Sequence, residues 1–110
     1  VVLFEDERFL AIDKPAGVSM ATSSRPGRSE REVVARLVAA SGDARALLLV
    51  HRLDVGTSGV VLLAKSREAH AALSRALQER RAAKTYRALV WGHPVPARGL
   101  LDAPLGRDPR

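Results

Sequence analysis

The sequence contains no cysteine, which excludes a disulfide framework and any thiolate-held metal site. Aromatic residues are scarce at 4%: one tryptophan (Trp91), one tyrosine (Tyr86) and two phenylalanines (Phe4, Phe9). A core must therefore rest on Leu, Val and Ala, and the few aromatics stand out. Long apolar runs are also missing. "LLLV" (residues 47–50) and "VVLLA" (residues 60–64) fall far short of the ~20 residues of a membrane-spanning helix. His51, His70 and His93 are scattered without ligand spacing, so no zinc site is expected. No signal-peptide pattern opens the chain, and a cytoplasmic protein is the expectation. There is no internal repeat and no low-complexity tract.

What is present is enough for one domain of 110 residues with a core of its own. Hydrophobic residues make up 46% and charged residues 27%, a globular balance. The net charge of +6 arises from 18 basic and 12 acidic residues, and fifteen of the basic residues are arginine. A guanidinium forks onto phosphate and stacks on bases better than an ammonium does, so this balance suits RNA. Genomic base composition alone can also enrich Arg and Ala. The chain opens at Val1 rather than Met and stops at Arg110 in mid-pattern, and it is expected to be part of something longer.

Along the chain, "VVLF" and "FLAID" flank the charged "EDER" (residues 5–8) and predict a β-hairpin. "KPAG" (residues 14–17) ends the second strand, since Pro lacks a donor and Gly permits a sharp turn. "ATSSRPGR" (residues 21–28) is a polar loop. Ser29 with Glu32 fits a capping box for a helix carrying Val33, Val34, Leu37 and Val38, with Gly42 as its C-terminal cap. Residues 47–50 and 60–64 predict strands buried on both faces. Ser66 can cap a second helix over residues 67–82, with Leu73 and Leu77 facing inward. "KTYRALVW" (residues 84–91) alternates as a strand does, and "LLDAPLGRDPR" (residues 100–110) resembles the start of another hairpin. The mixture lacks a strict βαβ rhythm, so the expected class is α+β: a mixed, mainly antiparallel sheet with flanking helices.

Between the two apolar runs lies "HRLDVGTSG" (residues 51–59), with Arg52 two residues before Asp54 on a tight Gly/Thr/Ser loop. Loops between strands are where a rigid scaffold carries chemistry. A nucleophile elbow around Ser58 fails, because Gly59 follows the serine where a spacer belongs. A kinase catalytic loop fails as well, since Leu53 separates Arg52 from Asp54 and no Asn closes the motif. No phosphate-binding Walker loop occurs. An Asp beside an Arg can also be a plain ion pair, with Thr57 and Ser58 bonding the loop backbone.

The longer string "HRLDVGTSGVVLLAKS" (residues 51–66) resembles the signature of the RluA-type pseudouridine synthases. "FLAIDKPAGVSM" (residues 9–20) is similar to that family's N-terminal Lys-Pro-x-Gly segment. "KTYRALVWG" (residues 84–92) is similar to its Lys-x-Tyr motif, and "PLGRDPR" (residues 104–110) to the hairpin that follows. The likeness runs nearly end to end in the family's order. It implies an RNA-modifying isomerase: the bond from the uracil nitrogen to the ribose breaks, the free base turns, and the ring rejoins through carbon.

Such an isomerisation neither gains nor loses groups or electrons, so the resemblance implies no cofactor and no metal. Asp54 matches the catalytic aspartate, as nucleophile or as the base that takes a ribose proton. The target base must leave its stack at a cost of a few kcal/mol. Arg52 matches the residue that fills the gap, its flat guanidinium stacking on neighbouring bases. Tyr86 would lie against the flipped uracil and help remove the proton from the base carbon. Arg107 would contact phosphate, or it is an ordinary solvated surface charge. Lys14 could touch RNA, but bracing its turn is the expectation; His51 is expected to bond the loop backbone, and Lys84 to support the sheet edge or a phosphate.

The implied partner is ribosomal or transfer RNA, with no membrane and a monomeric state expected. The family also carries a downstream basic residue that pairs with the aspartate. Residues 1–110 are thus expected to be the N-terminal portion of a catalytic domain, weakly active or inactive alone. A catalytically inactive RNA-binding module of the same fold, or a protein-interaction domain, would be the alternatives.

Overall fold

A computed structural model describes residues 2–20, 34–35, 47–107 and 109. Its sheet has four strands, β1 (Val2–Glu5), β2 (Phe9–Lys14), β3 (Leu48–Leu49) and β4 (Gly59–Ala64), in the spatial order β1-β2-β4-β3 with every pair antiparallel. One helix, α1 (Arg67–Gln78), packs against β4 and β3. The α+β, antiparallel expectation holds. The capping box at Ser29, the polar loop before it and the Gly42 cap lie outside the described residues. Of that predicted helix, Val34 and Ala35 are described and are helical.

The hairpin forms because Asp6 closes its turn. Its Oδ1 accepts from Arg8 N–H (2.7 Å) and Phe9 N–H (2.8 Å), while its own N–H donates to the Phe9 carbonyl (3.1 Å). These bonds hold the Asp6 carboxyl below its ordinary value of 3.8, the Phe9 amide contributing most and the Arg8 amide next. A register shift between Val2 and Phe4 marks a bulge that twists this edge strand. Phe4 and Phe9 meet across the hairpin with ring centroids 5.3 Å apart.

The central pair is β2 and β4, registered Leu10↔Leu63 and Ile12↔Val61. Alternation puts these four side chains on one face, where they join Met20, Val34 and Leu53 in the core. Ile12, Val61 and Leu63 are essentially inaccessible to solvent. The other face carries Leu62 and Ala64, and Leu62 lines a cavity together with Leu77 of α1. The prediction of burial on both faces is met by Val61, Leu63 and Ala64, whereas Val60 is exposed. Helix α1 starts where its sequence says it should: the Ser66 hydroxyl accepts from Ala69 N–H (3.0 Å), leaving Leu73 and Leu77 half-buried.

Helix α1 ends four residues earlier than predicted, in a Schellman turn: Arg81 N–H bonds the Ala76 carbonyl (2.9 Å) and Arg80 N–H that of Leu77 (3.2 Å), with Arg80 at φ 54°. The turn sends residues 82–87 back beside the sheet. The strand predicted over residues 84–91 does not form. Described residues from 81 onward have no regular structure, and Leu89 and Trp91 are fully exposed. Alternation is necessary for a strand but insufficient; a strand needs a neighbouring edge for its hydrogen bonds, and none of β1–β4 pairs with this segment. The hairpin predicted from residue 100 is absent among the described residues for the same reason.

Candidate functional site

The loop from His51 to Ser58 leaves the sheet at the end of β3 and returns at β4. Its side chains alternate between anchoring and display. Leu53 is buried and its N–H donates to the Met20 sulfur (3.3 Å), while the residues on either side, Arg52 and Asp54, are exposed. Asp54 opens a β-turn closed by Thr57 N–H to the Asp54 carbonyl (3.0 Å). Gly59 ends the loop at φ +134°, a backbone region that favours glycine. Its open side faces a Leu53 methyl, 4.0 Å from where a Cβ would stand.

A second turn buttresses the first. Gly17, at φ +88°, donates its N–H to the Val55 carbonyl at 2.6 Å. The "KPAG" segment and the Asp54 turn are thereby joined, although 38 residues separate Gly17 from Val55 in sequence. Lys14 holds the supporting turn from inside. It is wholly buried, and its ammonium donates to the carbonyls of Pro15 (3.0 Å) and Val18 (2.9 Å). Those bonds offset the desolvation that burial imposes on the charge, and Lys14 is out of reach of a ligand.

Beside the loop is a cavity of about 440 Å³, walled by Thr57, Ser58 and Gly59 on one side and by residues 82–87, including Lys84, Tyr86 and Arg87, on the other. Tyr86 is largely exposed. The structure thus brings Tyr86 to the same cavity as the loop's distal half. Arg52 and Asp54 lie on the loop's exposed turn and not in the cavity wall. They do not pair with one another: among the described residues the ion pairs are Lys65–Glu5 (2.6 Å) and Arg81–Glu79 (2.7 Å). Nor do the Thr57 and Ser58 side chains bond the loop backbone among the described residues; both line the cavity instead. Arg107 is exposed in the irregular segment, and it is not brought to the cavity.

His51 bonds the backbone as expected, but on the strand rather than the loop: its Nε2 accepts from Leu62 N–H (3.0 Å). Burial, then the nearby Lys84 charge, holds the ring below its ordinary value of 6.5, against a weaker opposing influence of the Arg52 backbone. Sequence reasoning missed Leu53 and Met20 as the loop's anchors. The position of Leu53 between two charged residues was the available signal. Among the described residues no three His, Asp or Glu side chains are placed to hold a metal ion, and no helix is long and apolar enough to cross a membrane.

The family model described as RNA pseudouridylate synthase matches residues 8–110. The chain is 44% identical over 112 residues to an uncharacterised RNA pseudouridine synthase of Mycobacterium bovis, covering 96% of this chain and 36% of that protein. It is 41% identical over 105 residues to the dual-specificity RNA pseudouridine synthase RluA of Salmonella typhi, covering 96% of this chain and 46% of that one. Among solved structures, human RNA pseudouridylate synthase domain containing 4 superposes with a TM-score of 0.55 at 26% identity, over 73% of this chain and 30% of that one. The chain therefore spans less than half the length of these relatives. A match over almost the whole chain, with the Asp54 loop and its buttressing turn both inside the matched span, shows that the chain belongs to the RNA pseudouridylate synthase family.

Proposed function

We propose that this chain carries the catalytic loop of an RNA pseudouridine synthase, an isomerase that acts in the cytoplasm on uridines of ribosomal or transfer RNA. The observation that carries the reading is the display of Arg52 and Asp54 about a buried Leu53, on a turn braced by the Gly17–Val55 bond. A carboxylate held this way is exposed to solvent and forms no ion pair among the described residues, so it is free to meet a nucleotide from outside.

In this reading the uridine swings out of its stack and Arg52 takes the vacated space, its guanidinium stacking on the flanking bases. Asp54 acts at the ribose, as nucleophile at the anomeric carbon or as base toward a ribose proton, and the carbon–nitrogen glycosidic bond breaks. The uracil keeps its electrons, turns, and forms a carbon–carbon bond to the same ribose. Tyr86 stacks on the turned ring and assists departure of the proton from the newly bonded carbon. The proton lost from carbon is balanced by one gained on the ring nitrogen, so no cofactor takes part. Lys84, Arg87 and Arg107 contribute positive charge toward the phosphates. This chain spans 36% and 46% of those two relatives, and in this reading further residues from the full-length protein complete the pocket.

The test uses the natural full-length protein with bulk cellular RNA. The reading expects pseudouridine to form and RNA affinity to fall steeply with salt as phosphate contacts are lost. Tight, salt-dependent binding without product would identify a non-catalytic RNA-binding module. Binding indifferent to salt would favour a protein-interaction domain with an incidental basic surface.

A further inference from the structure

The end of β3 is made by a side chain. Continuing the register Leu48↔Ala64, Leu49↔Leu63 by one step sets Val50 opposite Leu62. Val50 N–H does reach the Leu62 carbonyl, at 3.4 Å. The return bond goes elsewhere: Leu62 N–H donates to His51 Nε2 at 3.0 Å, where an uninterrupted ladder would use the Val50 carbonyl. The imidazole thus closes the last rung and lets the backbone turn out of the sheet one residue before Arg52.

A nitrogen that accepts this bond carries no proton, so the neutral ring bears its proton on Nδ1. Nδ1 is buried and has no partner at hydrogen-bond geometry among the described residues, the Arg52 backbone exerting only a weak pull on the ring. An unpartnered buried N–H is unfavourable, which leaves the Nε2 bond and packing to hold this tautomer. The ionisable groups around the ring's cavity are Lys84, Tyr86 and Arg87, from the segment after α1. From β4 the cavity receives Val60 and Leu62, and from α1 Leu77, none of them ionisable. On the loop itself Arg52 and Asp54 are exposed. Across β3, the His70 Nε2 bonds the Leu49 carbonyl (2.9 Å) and ties α1 to the same short strand.

We propose that His51 is a positioning residue: as the neutral Nδ1–H tautomer it replaces the Val50 carbonyl as acceptor for Leu62, and so sets where Arg52 and Asp54 leave the sheet. Protonation makes Nε2 a donor facing the Leu62 donor, which breaks the rung and releases the loop. The catalytic consequence rests on the proposed synthase reading; the hydrogen bond does not.

Two experiments on the full-length protein separate these. In ¹⁵N-histidine-labelled protein at neutral pH, long-range ¹H–¹⁵N correlation should show His51 with Nδ1 protonated and Nε2 bare. A proton on Nε2 would overturn the proposal whatever the enzyme does. In pseudouridine-formation assays, His51→Ala should lower kcat about tenfold, the weight of one lost buried hydrogen bond, with a smaller change in KM. His51→Gln, whose amide oxygen stands as many bonds from Cβ as Nε2 does, should stay within about threefold of wild type. It should also lose the acid-side fall in rate that His51 imposes. Equal damage from Ala and Gln, or an acid limb unchanged in the Gln variant, would refute the positioning role. If the unaltered protein forms no product, the synthase reading fails, and the tautomer alone decides the proposal about His51.

Discussion

Leu53→Ala separates anchoring from chemistry. Leu53 is about nine-tenths buried, at the margin of the core, and is the loop's one buried side chain between Arg52 and Asp54. The substitution removes three buried carbons at about 0.8 kcal/mol each. A residual void beside Met20 and Gly59 adds to this, for a loss of about 3 kcal/mol, within the range of about 2–5 kcal/mol for such truncations. Domains are typically stable by about 5–15 kcal/mol, so the fold persists. The loop loses the contact that fixes Arg52 and Asp54 relative to the sheet, and displacements of about 1 Å can cost up to a hundredfold in rate. Urea denaturation of the full-length protein should therefore show a lower midpoint with an unchanged slope. The rate of pseudouridine formation under folding conditions should drop about 10- to 100-fold. Leu53→Met, which conserves volume, should cost less than about 1.5 kcal/mol and keep most activity. A Leu53→Ala protein destabilised by about 3 kcal/mol but with undiminished rate would refute the claim that Leu53 positions the loop.

Other expectations follow from the same geometry. Gly17→Ala meets no atom within 4 Å but forces a side chain into φ +88°, at a cost of about 1–2 kcal/mol; amide exchange at position 17 and at Thr57 should quicken as the buttress loosens. Arg80→Gly relieves the left-handed residue of the Schellman turn and should raise stability by about 0.5–1 kcal/mol in denaturant titration. Asp6, whose carboxyl is held below its ordinary 3.8 in the folded hairpin, contributes stability that is full above pH 3.8. That contribution is lost as pH falls through the lower folded value. Asp6→Ala should flatten the stability profile in that acid window, and an unchanged profile would contradict the hairpin assignment.

What could be read in the sequence was what depends on neighbours close in the chain. The Asp6 hairpin, the Ser66 cap and the apolar run of β4 each rest on a few adjacent residues, and each forms. The segment from Lys84 to Trp91 carries an equally good alternating pattern and forms no strand, because strand formation depends on an edge that pattern cannot report. At the site, the exposed Arg52 and Asp54 were legible from the charged interruption of two apolar runs. The bonds that hold them, Gly17 to Val55, Leu53 to Met20 and Leu62 to His51, span 11 to 38 residues and emerge only with the register of the sheet. The bracing role expected of Lys14 is matched by its two carbonyl bonds, since a "KPAG" turn supplies carbonyls within reach of its own lysine.

The proposed chemistry depends first on the carboxylate of Asp54. Pseudouridines should be mapped in the RNA of cells lacking the gene and of the same cells re-supplied with either the unaltered protein or Asp54→Asn at equal abundance. If Asp54 has this role, specific sites vanish on deletion, return with the unaltered protein, and stay absent with Asp54→Asn. Restoration of those sites by Asp54→Asn would contradict it.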